Sequence, residues 1–194
     1  VQNALDAVRA RVQHGDQYEP RIEVTIHRDR IVIEDNGIGM SKAELQKHFW
    51  TAGSSSKNTP EARAAGVVGT FGIGAMANFG VARILTVETE SARIPERTIS
   101  LANRDTLSLR DDCVEVQVGS AIGMPGTKIT AELIVPGSID VDQAKQYLRD
   151  FVQLVPTPIF VNEVLISQVS IDDAVPAVAA AHTEVVQGAV FGTP

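Results

Sequence analysis

The sequence begins with a pair of polar residues that could bind a metal ion. Asn3 and Asp6 in the segment NALDA (residues 3–7) are three positions apart, so both side chains lie on one face of a helix. An amide oxygen is a hard, neutral ligand, and Mg²⁺ is commonly held by one or two protein oxygens together with phosphate and water. Asn3 is therefore a candidate Mg²⁺ ligand, and the structural alternative is a solvated helix face.

A glycine-containing loop, EDNGIGM (residues 34–40), follows a run of three β-branched residues. This position places Asp35 at the end of a buried strand, where its carboxylate needs a partner such as the exocyclic amine of adenine. Gly37 and Gly39 would let the backbone approach a flat base closely. Asp-Asn-Gly is also ordinary turn chemistry, so a simple turn is the alternative.

A third segment, GVVGTFGIG (residues 66–74), opens a predicted helix. Backbone N–H groups at such a helix start, with no side chains in the way, form a cradle for phosphate. The competing interpretation is a dinucleotide-binding fingerprint, G-x-G-x-x-A, at residues 72–77, with Glu88 and Glu90 near the position of a ribose-binding acid. That fingerprint needs a strand directly before its first glycine, and it leaves Asn3 and Asp35 unused.

Hydrophobic periodicity predicts the elements that must position these residues. Apolar residues recur at helical spacing over residues 1–12 and 142–154, and a capping-box pattern at Ser41 and Glu44 begins a short helix that runs to about Trp50. Alternating patterns predict a hairpin with strands at 22–26 and 31–33. Further predicted elements are a helix at 75–79 and strands at 83–89, 97–101, 106–109, 114–118, 128–133 and 158–161. This order favours an α+β fold with a mixed, mostly antiparallel sheet.

Composition excludes several classes of protein. With 44% hydrophobic and 21% charged residues, the 194-residue chain can bury a core, so wholesale disorder is excluded. A formal net charge of −7 argues against electrostatic coating of nucleic acid or an anionic membrane. The single cysteine, Cys113, excludes an internal disulfide framework and a multi-cysteine metal site. No apolar run approaches the roughly 18 residues of a membrane span.

Taken in order, these segments resemble the conserved boxes of the GHKL ATPases, which share the Bergerat ATP-binding fold of gyrase B, Hsp90, histidine kinases and MutL. The final box is matched by Gly126-Thr127, which precedes the predicted strand at 128–133. The stretch DNGIGMSKAEL (residues 35–45) is most similar to the N-terminal domain of Hsp90-type chaperones. The resemblance covers residues 1–166, and residues 167–194 would be a linker or the start of a following domain.

The resemblance implies a fold, ligands and a role for each matching residue. The fold would be a two-layer sandwich with helices on one face of the sheet, and the ligands would be ATP or ADP with Mg²⁺ coordinated by Asn3. Asp35 would bond the adenine amino group, with Thr127 supporting it through water, and Asp6 would lie near the sugar or phosphates. The remaining implied contacts are Gly37, Gly39 and Met40 at the base, and Gly69, Gly72, Ile73 and Gly74 in a lid over the phosphates.

The resemblance also implies a cytoplasmic homodimer that acts on client proteins, with neither membrane nor nucleic acid as a partner. The family's catalytic Glu would lie four residues before Asn3, which is before Val1, so we expect residues 1–194 to bind nucleotide and to hydrolyse little of it. His48, Phe49 and Trp50 depart from the Hsp90 pattern, and we expect Phe49 and Trp50 to be core residues. The alternatives are a MutL- or MORC-like GHKL ATPase that acts on DNA, a histidine-kinase catalytic domain, and the dinucleotide-binding oxidoreductase.

Overall fold

The computed structural model describes residues 1–50, 77–107 and 113–170. Within these residues one sheet contains eight strands in the order β5-β4-β3-β6-β2-β1-β7-β8. The strands are β1 (Ile22–Ile26), β2 (Arg30–Asp35), β3 (Ala82–Glu90), β4 (Glu96–Asn103), β5 (Val114–Ser120), β6 (Gly126–Leu133), β7 (Ile159–Val161) and β8 (Val164–Leu165). Neighbouring strands are antiparallel except for β1 and β7, which are parallel. The predicted α+β fold with a mixed, mostly antiparallel sheet is confirmed.

Among the described residues, three α-helices accompany the sheet. Helix α1 (Gln2–His14) ends at Gly15, whose φ of 97° is a left-handed conformation that suits glycine. Helix α2 (Lys42–Glu44) begins at the predicted capping box and continues as a π-helical turn, Leu45–Phe49. Helix α3 is Val141–Val152. None of the helices in the described part of the chain is long and apolar enough to cross a membrane.

The main core lies between α1, α3 and one face of the sheet. Side chains on a strand alternate between its two faces, so the buried residues of β1 and β7 share the face that the helices cover. The buried members of this cluster are Ala4, Leu5, Val8, Ile22, Val24, Ile26, Val152, Ile159, Val161 and Ile166. Because α1 and α3 pack against the same residues, the predicted placement of helices on one face is confirmed.

A second cluster surrounds the single tryptophan of the chain. Trp50 and Phe49 pack against Phe79 and Leu85, and their two rings meet edge to face with centroids 5.0 Å apart. The Trp50 indole N–H donates to the Ser100 hydroxyl at 3.0 Å, so the polar edge of the ring is satisfied. Both aromatic residues are partly buried and pack against this core, as expected.

Three local predictions need correction or lie partly outside the described residues. The strand predicted at 106–109 is wrong at its start, because Arg104–Thr106 forms a 3-10 turn in which the Asn103 side chain accepts the Asp105 N–H. Its remaining part includes residues 108–109, which are not among the described residues. The helix predicted at 75–79 is described only from residue 77, where Asn78–Gly80 is a 3-10 turn. Strand β8 was not predicted, since two exposed residues carry no alternation.

Candidate functional site

Four polar side chains form one row across the covered face of the sheet. Asp35 on β2 pairs with Thr127 on β6, Thr127 pairs with Thr89 on β3, and Thr89 pairs with Thr98 on β4. Their exposed fractions are 8%, 7%, 2% and 0% in the order Asp35, Thr127, Thr89, Thr98. In the next row on this face the residues of β2, β6 and β3 are apolar, namely Ile33, Ile129 and Val87. Because buried polar groups need hydrogen-bond partners, such a row requires an explanation.

The Thr89 hydroxyl joins two loops that the sequence places far apart. Its oxygen accepts the Met40 N–H at 2.9 Å, and it lies 3.0 Å from the Gly126 carbonyl oxygen, to which it donates. It also lies 3.1 Å from the Thr127 hydroxyl. The loop after β2 and the start of β6 are therefore fixed to each other through one buried side chain.

Asp35 is a buried carboxyl group that receives backbone hydrogen bonds. Its Oδ1 accepts the Gly37 N–H at 2.9 Å. Burial raises the pKa of Asp35 from 3.8 to about 7, and the hydrogen bond from Gly37, the charge of the N-terminal amine and a hydrogen bond from the Thr127 backbone oppose that rise. A carboxylate has more acceptor capacity than these backbone donors use. Asp35 is therefore suited to accept a hydrogen bond from a ligand N–H group.

The loop after β2 packs closely against α1, and glycine makes this contact feasible. The Ile38 N–H donates to the Ala7 carbonyl at 3.0 Å, and a Cβ on Gly37 would lie 2.5 Å from the Ala7 carbonyl carbon. Gly39 has a φ of 62°, and a Cβ there would overlap the Glu90 carbonyl oxygen. These glycines therefore allow protein segments to approach one another, and their contact with a base stays a prediction.

The first turns of α1 hold the two polar residues that the sequence singled out. Asp6 is buried and accepts a hydrogen bond from the Gln2 side chain at 3.2 Å, with the Arg9 guanidinium 3.8 Å away. Asn3 is exposed, in the first turn. Among the described residues no group of three or more His, Cys, Asp and Glu side chains could hold a metal ion. Metal binding by Asn3 would thus need oxygens from a ligand and stays a prediction.

The structure brings together the predicted residues Asp35, Gly37, Gly39, Met40 and Thr127 at one end of the sheet, beside α1. The predicted lid residues Gly69, Gly72, Ile73 and Gly74 lie outside the described residues. Sequence reasoning missed Thr89. The signal for it was present, because Thr89 has the same inward parity as Leu85 and Val87.

Glu88 and Glu90 are engaged in ways that do not match a ribose-binding acid. Both Glu90 oxygens accept backbone N–H groups, one from Ile122 and one from Met124, each at 2.8 Å. Glu88 accepts from the Arg97 guanidinium at 2.9 Å. Glu90 therefore fixes the loop before β6, and Glu88 forms an ion pair within the sheet. Because both carboxylates have these structural partners, neither supports the dinucleotide interpretation.

A charged groove of about 410 Å³ lies at the same end of the sheet. Its ionic side chains include Glu23, Glu34, Lys128 and Glu88, which follow one another across neighbouring strands. These positions alternate with the polar row, so their side chains point away from the face that α1 covers. Asp35, Thr89 and Thr127 also line this groove at the strand ends, but their register positions direct their side chains to the covered face, where we place the candidate site.

Asp35→Asn is expected to gain stability relative to the wild type as pH rises from about 5 to about 7. The folded protein keeps the Asp35 proton in this range, whereas the unfolded chain, with a pKa of 3.8, has lost it. The contribution of the carboxyl group is fully present below about pH 4 and is lost as pH rises through about 7, at roughly 1.4 kcal/mol per pH unit. Urea denaturation followed by Trp50 fluorescence measures the difference, which should reach about 2–3 kcal/mol. Parallel pH profiles for the two proteins would contradict the raised pKa.

Comparison with known proteins gives a family and several relatives. A family model described as histidine kinase-, DNA gyrase B-, and HSP90-like ATPase matches residues 1–118. The chain is 30% identical over 133 residues to the chaperone protein HtpG of Nocardia farcinica, which covers 62% of this chain and 20% of that protein. It is 32% identical over 104 residues to HtpG of Escherichia coli O1:K1 / APEC, and this match covers 46% of this chain and 17% of that protein.

A relative with a different name also matches. The chain is 38% identical over 78 residues to the putative type II restriction enzyme HgiDII of Herpetosiphon aurantiacus, covering 38% of this chain and 12% of that protein. These matches span about a fifth or less of the length of each relative. The family model, by contrast, matches more than half of the chain, residues 1–118 of 194. The chain therefore belongs to the family of histidine kinase-, DNA gyrase B- and HSP90-like ATPases.

Proposed function

We propose that this chain is the Mg²⁺-ATP-binding domain of an Hsp90-like chaperone ATPase. The observation that carries the proposal is the buried pair of Asp35 and Thr127, which are register partners at the end of β2 and the start of β6. Asp35 accepts hydrogen bonds from backbone N–H groups and has acceptor capacity left for the exocyclic amine of adenine. Similarity to the two HtpG chaperones supports the same assignment.

Asn3 is the residue that would hold Mg²⁺. The α1 segment is anchored beside the adenine-binding residues by the bond between Ile38 and Ala7, so its first turn lies at the same end of the sheet. A net charge of −7 supplies no general attraction for a polyanion. A bound Mg²⁺ ion would supply positive charge next to the phosphates, and backbone amides would add to it. Asp6, next to Ala7, would lie near the sugar or phosphates.

The proposal extends to the complete protein. There, ATP hydrolysis would be coupled to closure of a lid that includes Gly69, Gly72, Ile73 and Gly74, and a homodimer would act on client proteins in the cytoplasm. These features are proposed from the sequence resemblance and from similarity to HtpG. We further propose that the ATP-binding domain comprises residues 1–166 and that residues 167–194 lead into the next part of the protein.

A second candidate function is a GHKL ATPase that works with DNA. The observation that favours it is the 38% identity to a protein named as a putative type II restriction enzyme. The net charge of −7 opposes direct contact between this domain and DNA, so any DNA-binding region would belong to another part of the protein.

Binding of ADP measured by isothermal titration calorimetry tests the proposal. We expect ADP to bind with Mg²⁺, to bind at least tenfold more weakly when EDTA removes the metal, and to stabilise the domain by about 2.7 kcal/mol at 100 times its Kd. NAD is the control and should not bind. Binding of NAD in preference to ADP, or no binding of ADP, would refute the proposal. Stimulation of the intact protein's ATPase by duplex DNA would favour the second candidate.

A further inference from the structure

The Thr89 hydroxyl has one proton and three close neighbours. The Met40 N–H can only donate to it, and the Gly126 carbonyl oxygen can only accept from it. The third neighbour, the Thr127 hydroxyl at 3.1 Å, can do either. Because the Thr89 proton goes to Gly126, a bond between the two hydroxyls requires Thr127 to be the donor.

This assignment satisfies every polar group in the cluster. Thr89 then donates once and accepts twice, which uses its full hydrogen-bonding capacity. The opposite assignment, with Thr89 donating to Thr127, would leave the Gly126 oxygen facing another oxygen at 3.0 Å with no proton between them. Thr89, Thr127 and Gly126 are all buried, so an unsatisfied polar group would be costly there.

The consequence is that Thr127 directs its proton towards Thr89 and presents only oxygen lone pairs elsewhere. Its register partner Asp35 is also an acceptor at about pH 8.5, the pH chosen for the titrations below, since a carboxyl group with a pKa of about 7 is ionised there. Two adjacent acceptors favour a base that offers an exocyclic amine, and they disfavour a base that offers a keto oxygen at the same position. Base preference therefore depends on Thr89, which the ligand need not touch, because Thr89 fixes the orientation of the Thr127 hydroxyl.

We propose that Thr89 is a positioning residue that sets the base preference of this site, by holding the Thr127 hydroxyl as an acceptor that selects 6-amino purines against 6-keto purines. The inference rests on the proposed function, since it presupposes that a nucleotide base lies against Asp35 and Thr127. It adds a specificity determinant from β3, a strand that contributes no residue to the contacts implied by the resemblance.

Calorimetric titration of Thr89→Val with ADP and with IDP tests this role. ADP has a 6-amino group, whereas IDP has a 6-keto group and a proton on the neighbouring ring nitrogen, N1. Wild-type protein should prefer ADP by on the order of 10–100-fold. In Thr89→Val the Thr127 hydroxyl is free to turn and donate to a keto oxygen. The preference for ADP should therefore shrink about five- to tenfold, and Thr89→Ser should restore it.

Thr98→Val is the matched control, because Thr98 is fully buried and is the cross-strand neighbour of Thr89. Its hydroxyl donates to Glu96 at 3.4 Å and contacts neither loop of the site. The ratio of its affinities for ADP and IDP should equal that of the wild type. If Thr89→Val does not fold, Thr89→Ala removes the same hydroxyl without adding a methyl group and should shrink the preference for ADP likewise.

The possible outcomes distinguish failure of the role proposed for Thr89 from failure of the proposed nucleotide binding. A Thr89→Val protein that binds both nucleotides more weakly by the same factor would overturn the inference, because Thr89 would then serve structure alone. A wild-type protein that binds ADP and IDP equally would also overturn it. A wild-type protein that binds neither nucleotide would instead overturn the proposed function, and this inference with it.

Discussion

Asp35→Ala is expected to lower the affinity for ADP by on the order of 100-fold at about pH 8.5, where a carboxyl group with a pKa of about 7 is ionised, since a hydrogen bond to a charged group is worth about 1.5–3 kcal/mol. The substitution removes the acceptor proposed for the adenine amine. It also removes the partner of the Gly37 N–H, which donates to Asp35 at 2.9 Å. The loop that carries Gly39 and Met40 would then lose an anchor, and this loss adds to the effect.

Glu34→Ala is the matched control for this experiment. Glu34 is the neighbouring carboxylate on β2, is exposed, and points to the opposite face of the sheet. Calorimetry should give an ADP affinity within about twofold of the wild type for this variant. If the two substitutions had equal effects, the loss would reflect net charge, and the assignment of Asp35 as the base-binding residue would fail.

Gly39→Ala is expected to destabilise the domain by about 3 kcal/mol or more, which is the range of substitutions that force a backbone shift in a buried region. The φ of 62° at Gly39 disfavours any residue with a Cβ. The added carbon would overlap the Glu90 carbonyl oxygen, and this backbone cannot move independently because both Glu90 side-chain oxygens hold the loop before β6. The backbone therefore cannot shift to relieve the strain without breaking these hydrogen bonds.

Urea denaturation followed by Trp50 fluorescence measures this effect, and Gly119→Ala provides the control. Gly119 lies on the edge strand β5, and a Cβ there would meet no atom within 4 Å. We expect that variant to differ from the wild type by less than about 0.5 kcal/mol. A Gly39→Ala protein as stable as Gly119→Ala would show that the contact between Gly39 and Glu90 is looser than the structure has it.

Local patterns predicted much of the framework correctly. The capping box at Ser41 and Glu44 forms with both hydrogen bonds, and the strands β1 to β7 lie where alternation indicated them. The strand prediction failed at its start, Thr106, because the Asn103 side chain offered the backbone a competing hydrogen bond. Position on the inward face was readable for Thr89, but its hydrogen-bond partners were not.

The sequence by itself determined the order of the motifs, whose resemblance to the GHKL boxes pointed to an ATPase family, and the position of Asp35 at the end of a buried strand. The strand position follows from residue type and from periodicity, which act over a few neighbouring residues. Only the tertiary structure decided that β6 lies between β2 and β3, and this pairing brings Thr89 against Thr127 across 38 positions of sequence. Strand order depends on burial and backbone hydrogen bonding over the whole sheet, so no local pattern encodes it. The physical consequence is that the hydroxyl orientation proposed to set base preference arises from the sheet register and not from any motif.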